Sequence, residues 1–230
     1  LNKIPSLKKT ITLQNISFSY NKEPVLNKLN MRILANKTVA VVGESGAGKS
    51  TLIDLVLGLN APESGKIFID DQNINEINLI SYRKKIGYVP QDPILFYDTI
   101  KNNLLWANDK ATDEEIESCL KQANAYEFIM KQQDKFDTMV EDRGLSLSGG
   151  ERQRLTIARA FACNANILVF DEGLSAIDEK IKHKILEQLK KLKKEGKIIV
   201  IISHQIKTLK IADNIYTIDN CKLKTINSVL

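Results

Sequence analysis

Cysteine and histidine are scarce in this sequence, and the few that are present lie far apart. The 230 residues include three cysteines, Cys119, Cys163 and Cys221, and two histidines. A structural zinc site needs about four such ligands at short spacing, and a disulfide scaffold needs a much denser set of cysteines. Both classes are therefore excluded, and we expect free thiols in a reducing compartment.

Long apolar runs, glycine and proline are also limited. The longest purely apolar run, Ile198–Ile202, has 5 residues, whereas a membrane-spanning helix needs about 20. With 11 Gly, 5 Pro, 43% hydrophobic and 27% charged residues, the composition excludes collagen-like and disordered chains. We expect a folded globule that does not itself cross a membrane. Because the first residue is Leu1 and not Met, we also expect a piece of a longer protein.

The excess of positive charge is small and comes mainly from one segment. The chain has 33 Lys+Arg and 28 Asp+Glu, a net charge of +5, and residues 180–197 carry eight Lys and two Glu. Nucleic-acid-binding proteins are usually more basic, or interleave aromatic residues with basic ones. We expect no nucleic-acid partner. The lysines are interpreted as the solvated face of an amphipathic helix, with a docking patch for an acidic partner as the alternative.

Apolar patterns predict an α/β fold. Alternating apolar residues between Ile11 and Tyr20 predict antiparallel strands near the amino terminus. The apolar stretch 38–42 lacks alternation and predicts a strand that is buried on both faces. Two further apolar stretches predict strands, 167–170 and 197–202. The last two flank a predicted amphipathic helix over residues 178–195.

Helical periodicity predominates between the two parts of the predicted sheet. Residues 99–107, 112–123, 125–132 and 148–162 all show it, and Thr112 and Glu115 have the spacing of a capping box. No repeat or linker divides the sequence, so we predict one domain. Its catalytic core, 1–91 and 164–230, is expected to hold a mixed sheet, and about 92–163 are expected to form an inserted helical subdomain.

A phosphate-binding loop is the first motif that indicates chemistry. Residues 43–50 read GESGAGKS and fit the pattern G-x-x-x-x-G-K-[ST] between a predicted strand and a predicted helix. Glycines let backbone N–H groups surround phosphates, Lys49 would reach the β- and γ-phosphates, and the Ser50 hydroxyl would ligate Mg²⁺. A glycine-rich turn without a ligand is the alternative. The expected phosphate-binding residues are Gly43, Glu44, Ser45, Gly46, Ala47, Gly48, Lys49, Ser50 and Thr51.

Two acids follow a buried strand and restrict the chemistry further, since a phosphate loop alone leaves kinases, GTPases and ATPases open. The apolar residues 167–170 lead directly into Asp171 and Glu172. A carboxylate at the carboxyl end of a parallel strand lies beside the phosphate loop, so Asp171 can hold Mg²⁺. Glu172 can polarise the water that attacks the γ-phosphate. Ion pairing that serves only packing is the alternative. The fold class predicted is thus α/β with a P-loop NTPase core.

A third motif precedes the acid pair by about twenty residues. Residues 147–154 read LSGGERQR, and this motif resembles the signature of ATP-binding-cassette (ABC) ATPases. Ser148, Gly149 and Gly150 open a helix whose free N–H groups offer a second anion site. The resemblance implies a ligand, ATP with Mg²⁺, and a head-to-tail pair of domains in which the signature of one completes the phosphate loop of the other.

The resemblance implies roles for four further positions. Tyr20 is similar to the aromatic residue on which adenine stacks, with core or edge packing as the alternative. Gln91 resembles the glutamine that touches Mg²⁺ and the attacking water, and His204 resembles the histidine that contacts the γ-phosphate. Asp178, which ends a short loop similar to one at the dimer interface, also fits a helix N-cap. The implied catalytic residues are Lys49, Gln91, Glu172 and His204, and the implied metal ligands are Ser50, Gln91 and Asp171.

Two segments resemble export-type cassettes. They are residues 91–103, which in exporters meet the membrane domain, and the charged stretch Val140-Glu141-Asp142-Arg143-Gly144. The resemblance implies the ATPase domain of an ABC exporter, paired as a homodimer or with another cassette. It also implies attachment to a transmembrane domain on the same polypeptide, at the cytoplasmic face of the cell membrane.

Two other cassette classes are the alternatives. A soluble ABC ATPase acting on DNA or ribosomes would carry a coiled-coil insertion or a second cassette, for which 230 residues leave no room. A free-standing importer subunit is disfavoured by residues 96–100 and by the charged stretch. The sequence departs from the family pattern at Glu172-Gly173-Leu174 and at Glu141-Asp142-Arg143. These departures leave the predicted fold and catalytic residues unaffected, but they make the subfamily assignment less specific.

Overall fold

The computed structural model describes residues 9–141, 144 and 147–226. The strands are β1 (Thr10–Tyr20), β2 (Glu23–Leu34), β3 (Thr38–Val42), β4 (Ser64–Ile69), β5 (Gln72–Asn73), β6 (Ile86–Val89), β7 (Asp98–Thr99), β8 (Met139–Val140), β9 (Ile167–Asp171), β10 (Ile198–Ile202), β11 (Asn214–Asp219) and β12 (Lys222–Ile226). The helices are α1 (Lys49–Val56), α2 (Leu79–Arg83), α3 (Ile100–Leu105), α4 (Asp113–Gln122), α5 (Tyr126–Ile129), α6 (Gly149–Ala162), α7 (Glu179–Lys194) and α8 (Ile206–Leu209). Short 3-10 turns cover Ile74–Glu76 and Lys135–Asp137.

The strands form a mixed architecture, as predicted. A six-stranded sheet has the order β12-β11-β3-β10-β9-β6, in which only the β11–β12 pair is antiparallel. An antiparallel sheet with the order β2-β1-β4-β5 lies beside it, and β7 pairs with β8. The parallel arrangement brings the carboxyl ends of β3, β10, β9 and β6 to one edge, where a ligand site is expected.

Two apolar layers cover the faces of the central sheet. Ile167 and Val169 of β9 pack with α1 and the antiparallel sheet. Leu168 and Phe170 of the same strand pack in the other layer, with α3, α4, α6 and α7. Successive residues of a strand point to opposite faces, so an apolar run such as β9 is required where both faces are covered. The double burial predicted for residues 38–42 is confirmed in β3, where Val39 and Val41 join the first layer and Ala40 packs in another apolar cluster.

The helical region matches the sequence prediction in type, although several helices are shorter. Thr112 caps α4 and forms the predicted capping box with Glu115. The segment 99–107 forms the shorter helix α3, because Thr99 belongs to β7, where it pairs with Met139, and is the N-cap of the helix. The predicted helix at 125–132 is reduced to α5. All three cysteines are free and half-buried, and burial raises the pKa of Cys119 to about 11.

The lysine-rich helix α7 is amphipathic, and one lysine departs from the predicted solvated face. Ile185 and Leu189 are buried on its inner side. Lys182 is buried as well, because it reaches across to the residue that follows His204. No helix in the described ranges combines the length and the apolar character that crossing a membrane demands.

Candidate functional site

The predicted reactive residues lie at one edge of the central sheet. Taken in the spatial order of the strands, β3 is followed by Gly43, β10 by Ser203 and His204, β9 by Glu172, and β6 by Pro90 and Gln91. Segments that are separated by more than 100 residues in sequence therefore end side by side. The fold thus brings the phosphate loop and the acid pair to the same edge of the sheet, with β10 between β3 and β9, as the sequence predicts.

The phosphate loop depends on glycine at two positions. A Cβ on Gly43 would lie 2.7 Å from the carbonyl oxygen of Ile218, which leaves no room for a side chain. Gly48 has φ 100°, and a Cβ there would lie 2.8 Å from Val25 Cγ1. Because Gly48 is the N-cap of α1 and supplies no side-chain oxygen, the first N–H groups of α1 are left for an anion.

Lys49 holds the loop in its curled form. Its side chain is 7% exposed, and Nζ donates hydrogen bonds to the carbonyl oxygens of Gly43 at 2.8 Å and Glu44 at 2.7 Å. The ammonium group is therefore already inside the loop, at the place where phosphate oxygens would need a cation. The geometry fits the predicted role of Lys49.

Asp171 and Ser50 form an oxygen-rich pair beside this loop. Asp171 ends β9 and is buried; burial raises the pKa of its carboxyl group, while a hydrogen bond from Ser50 lowers it. Tyr88 on β6 donates its hydroxyl to Asp171 Oδ2 at 3.4 Å. Burial raises the pKa of Tyr88 to about 12, so this hydroxyl remains a donor at neutral pH. Hydroxyl and carboxylate oxygens are the ligands that Mg²⁺ prefers.

Asp54 is an acid near this pair that sequence analysis missed. It lies one helical turn after Ser50 on α1, and burial raises the pKa of its carboxyl group. Its charge also raises the pKa values of Asp171 and Tyr88, so Asp54 interacts electrostatically with both groups. The i, i+4 spacing from Ser50 was the signal in the sequence that could have identified it.

Glu172 and His204 contact each other at the ends of β9 and β10. His204 Nε2 lies 3.4 Å from Glu172 Oε1, and both side chains are partly exposed. Glu172 has φ 49°, a left-handed conformation that is uncommon for a residue other than glycine. Its N–H donates to the carbonyl oxygen of Ile202 at 3.1 Å, which holds this turn against β10. Such conformations concentrate at functional sites.

Tyr20 and Gln91 are both exposed. Tyr20, at the end of β1, is 47% exposed, and its ring meets Phe18 edge-on at 4.8 Å between centroids. Its hydroxyl accepts a hydrogen bond from Asn60 Nδ2 at 3.3 Å. This exposure favours a stacking surface over core packing, and the role in binding adenine stays a prediction. Gln91 lies exposed directly after Pro90, and its role stays a prediction as well.

The signature residues lie at a separate helix start. Ser148 is the N-cap of α6 and forms a capping box with Glu151. A Cβ on Gly150 would lie 3.3 Å from the carbonyl oxygen of Ala176, so the signature adjoins the loop 175–178. Asp178 accepts a hydrogen bond from the N–H of Ile181 and caps α7, as predicted.

Comparison with known proteins identifies the family. The sequence profile described as ABC transporter matches residues 26–175. The chain belongs to the ABC transporter family. The predicted resemblance and the α/β P-loop fold class are thereby confirmed.

Named relatives of this ABC domain indicate the export type. It is 41% identical over 216 residues to ATP-binding cassette sub-family B member 5 of Homo sapiens, covering 93% of this chain and 17% of that protein. It is 40% identical over 212 residues to the ATP-dependent lipid A-core flippase of Syntrophus aciditrophicus, covering 92% and 35%. A solved bacterial Atm1-family ABC exporter with ATP bound matches at TM-score 0.91 and 36% identity, covering 96% and 39%.

These matches define what the chain corresponds to. It spans less than two fifths of the length of each of these relatives and is a domain of the ABC transporter family that is similar to part of export-type members. The alternatives of a soluble cassette ATPase and an importer subunit are disfavoured, because the names of these matches include a flippase and an exporter.

Gln153 of this ABC domain is a second residue that sequence analysis missed. It is fully buried on α6, and its Nε2 donates to the carbonyl oxygens of Gly173 at 2.7 Å and Pro90 at 3.2 Å. Those carbonyls belong to the residues next to Glu172 and Gln91. The side chain therefore ties the signature helix to both loops that carry predicted catalytic residues.

Replacement of this amide tests the connection. We expect Gln153→Met to destabilise the domain by about 1–3 kcal/mol, because the two buried carbonyls lose their donor. We also expect slower ATP turnover with little change in nucleotide affinity, since both loops lose their common anchor. Thermal unfolding, steady-state phosphate release and nucleotide titration measure these quantities. Gln122→Met is the matched control, because the half-buried Gln122 side chain bonds Ser118 within α4; an equal effect of both changes would contradict the assignment.

The segments that resemble exporters are held by internal contacts where the structure describes them. Asn103 is fully buried; its Oδ1 accepts from the N–H of Phe96 at 2.9 Å, and its Nδ2 donates to the carbonyl oxygens of Phe96 and Thr99, each at 3.0 Å. In the charged stretch, Asp142 and Arg143 lie outside the described residues. Gly144, which follows them, is buried and accepts a hydrogen bond from Arg152.

An apolar patch lies next to the Phe96 segment. We use this name for Ile80, Phe96 and Trp106, which are all exposed. Phe96 and Trp106 stack with their ring centroids 4.9 Å apart, and the guanidinium of Arg159 lies 5.5 Å from the Phe96 centroid. Ile80 and Trp106 line a cleft of about 420 Å³. Contiguous exposed apolar surface makes this patch a candidate interaction site.

Proposed function

We propose that this domain hydrolyses Mg-ATP and thereby drives export by the transporter to which it belongs. The observation that carries the proposal is the contact between Glu172 and His204 beside Asp171, at the same sheet edge as the phosphate loop. A base, a residue that orients it and a metal-binding carboxylate are the groups needed to transfer a phosphoryl group to water.

Lys49, Ser50 and Asp171 fit Mg-ATP in their chemistry. Lys49 and the uncapped N–H groups of α1 would bind the phosphates, and Ser50 and Asp171 would hold Mg²⁺. When bound, Mg²⁺ neutralises charge that develops on the phosphate oxygens. Glu172 would take a proton from the attacking water, and His204 Nε2, within 3.4 Å of it, would orient the carboxylate. Gln91, at the end of β6, would contribute a polar contact to the same water.

The signature residues support the proposal of a paired domain. Ser148, Gly149 and Gly150 offer an anion site at the start of α6, while the phosphate loop is built from β3 and α1. A second copy, or another cassette, would place its signature over this phosphate loop and receive the same in return, as in the family pattern. The loop 175–178 beside Gly150 would lie at this interface.

The apolar patch supports a membrane-domain partner. Ile80, Phe96 and Trp106 present apolar and aromatic surface that an interface would cover. We propose that a transmembrane domain of the same transporter docks here, which would place this domain at the cytoplasmic face of the cell membrane. In this arrangement, residues 1–91 and 164–230 act as the catalytic core, and about 92–163 act as the helical subdomain that meets the partner.

Mixing two inactive variants tests hydrolysis and pairing together. Lys49→Ala damages the phosphate loop, and Ser148→Arg blocks the signature with a bulky side chain. We expect each variant alone to be nearly inactive and their mixture to regain Mg-dependent ATP turnover, because a mixed pair contains one intact composite site. Phosphate release is the measurement.

The matched control replaces the Ser148→Arg partner with the double variant Lys49→Ala/Ser148→Arg. Its mixture with Lys49→Ala contains no intact composite site, and we expect no recovery. A mixture that stays inactive while the wild type hydrolyses ATP would contradict head-to-tail pairing. Absence of Mg-dependent hydrolysis in the wild type would contradict the proposed function itself.

A further inference from the structure

A buried cation connects the start of α7 with the residue that follows His204. The side chain of Lys182 is 4% exposed. Its Nζ donates hydrogen bonds to Glu179 Oε1 at 2.9 Å and to Gln205 Oε1 at 2.7 Å. Because a buried ammonium group is costly unless it is paired and hydrogen-bonded, these two partners fix where Lys182 lies.

The Glu179 carboxylate strengthens this connection from the other side. Its Oε2 accepts a hydrogen bond from Lys207 Nζ of α8 at 2.9 Å. Hydrogen bonds from Lys182 and Lys207 lower the pKa of Glu179 to about 2, so the carboxylate is ionised at neutral pH. The first turn of α7 is thus joined to Gln205 by the buried Lys182 and to α8 by Lys207. We call Glu179, Lys182 and Gln205 the Lys182 bridge.

Both ends of the Lys182 bridge adjoin residues of the proposed reaction. Glu179 follows Asp178, which caps α7 and ends the loop 175–178. Gln205 follows His204, whose Nε2 lies 3.4 Å from Glu172 Oε1. The backbone of Gln205 is held as well, because its N–H donates to Ser203 Oγ at 3.1 Å and its carbonyl oxygen accepts from the first turn of α8. A shift of Gln205 would therefore move His204.

Another ion pair on α7 is confined to the surface and serves as a comparison for Lys182. Lys190 and Glu187 have the same i, i+3 spacing, and their side chains are 45% and 48% exposed. Their hydrogen bond at 2.7 Å stays within α7. Exposed pairs of this kind contribute little to stability. Lys182 differs in being buried and in reaching a second element of the structure.

We propose that Lys182 is a positioning residue for ATP hydrolysis, which holds Gln205, and through it His204, in register with Glu172 and with the start of α7. This inference rests on the proposed function and deepens it. Lys182 contacts neither Glu172 nor the phosphate loop through any hydrogen bond found among the described residues. Its effect is therefore on the rate of the chemical step. Since the loop 175–178 would lie at the proposed domain interface, pairing of two domains would also affect the position of His204 through the Lys182 bridge.

Lys182→Met tests this role, because methionine keeps much of the side-chain volume and removes the charge. We expect kcat for ATP hydrolysis to fall about tenfold or more, as displacement of a reacting group by a fraction of an ångström is costly. We expect KM and the nucleotide Kd to change less than about twofold, since the contacts that bind the nucleotide in the ground state are unaffected. Lys182→Arg keeps the charge and should recover most of the lost rate.

A double-mutant cycle separates positioning from general destabilisation. Gln205→Ala, at an exposed position, should lower kcat in the same way, and adding Lys182→Met to it should cause no further fall, because both changes break one connection. Lys190→Met is the matched control and should leave kcat unchanged. Thermal unfolding of each variant reports the folded fraction. If Lys182→Met does not fold, Gln205→Ala alone decides the question.

Four outcomes would overturn the inference. They are an unchanged kcat in Gln205→Ala or in folded Lys182→Met, a double variant whose loss is the product of the two single losses, an equal loss in Lys190→Met, and a fall in nucleotide affinity as large as the fall in kcat. All four presuppose that the wild type hydrolyses ATP. A wild type without hydrolysis would overturn the proposed function first, and the inference with it.

Discussion

Glu172→Gln is expected to lower kcat for ATP hydrolysis about 10²- to 10⁴-fold, which is the usual contribution of a general base. The amide has nearly the same shape as the carboxylate and cannot take a proton from water. The left-handed backbone of residue 172 and its hydrogen bond to Ile202 do not involve the side chain, so the turn should persist. Phosphate release at saturating ATP measures the effect.

The same variant should bind ATP with nearly the affinity of the wild type. In the proposed mechanism Glu172 would contact the reacting water, while Lys49 and the start of α1 would bind the phosphates. Trapped before hydrolysis, the variant should also form ATP-dependent dimers in size-exclusion chromatography. Glu195→Gln changes an exposed acid at the end of α7 and should leave kcat unaltered. Unchanged turnover in Glu172→Gln would show that Glu172 is not the base.

The elements that carry this site could be predicted because their signals are local in sequence. A buried strand, glycines at fixed spacing and a helix start define the loop 43–50 within a dozen residues. The run of β9 into Asp171 and Glu172 is equally local. Parallel pairing then places the strand ends together. The contact between Glu172 and His204 follows from this pairing, although the sequence separates them by a long helix.

The supporting residues could not be predicted in the same way, because their partners are remote in sequence. Gln153 bonds carbonyls that lie 20 and 63 positions away, and Tyr88 bonds a carboxylate 83 positions away. Lys182 sits among lysines whose pattern indicates a solvated face, and only the position of Gln205, 23 residues later, explains its burial. Periodicity reports which face of a helix is apolar; it does not report which polar side chain finds a buried partner.

Some missed elements did have a signal. Ile215, Tyr216 and Ile218 of β11 are buried, and the strand completes the sheet beside β3. β11 is about as long as β9, and its apolar residues are the signal that could have predicted a strand. The turn at Asn220 and Cys221, where both residues have positive φ, then returns the chain as β12. Short strands at the end of a chain are ambiguous by pattern alone, since pairing with an existing edge decides whether they form.

Lys49→Ala is expected to weaken ATP binding about 30- to 1,000-fold, which corresponds to about 2–4 kcal/mol for loss of one member of a buried charged contact. The ammonium group lies inside the phosphate loop and bonds the carbonyl oxygens of Gly43 and Glu44. Without it, negative phosphate oxygens would face these carbonyls with no cation between them. Titration with a fluorescent ATP analogue, with and without Mg²⁺, measures the affinity.

Lys49→Ala and Glu172→Gln should therefore separate binding from chemistry. The first should lose affinity and, through it, turnover, whereas the second should keep affinity and lose turnover. Lys66→Ala is the control for charge, because Lys66 is exposed on β4 in the antiparallel sheet, and its affinity should equal that of the wild type. If Lys49→Ala bound ATP as tightly as Lys66→Ala, residues 43–50 would not be the phosphate site.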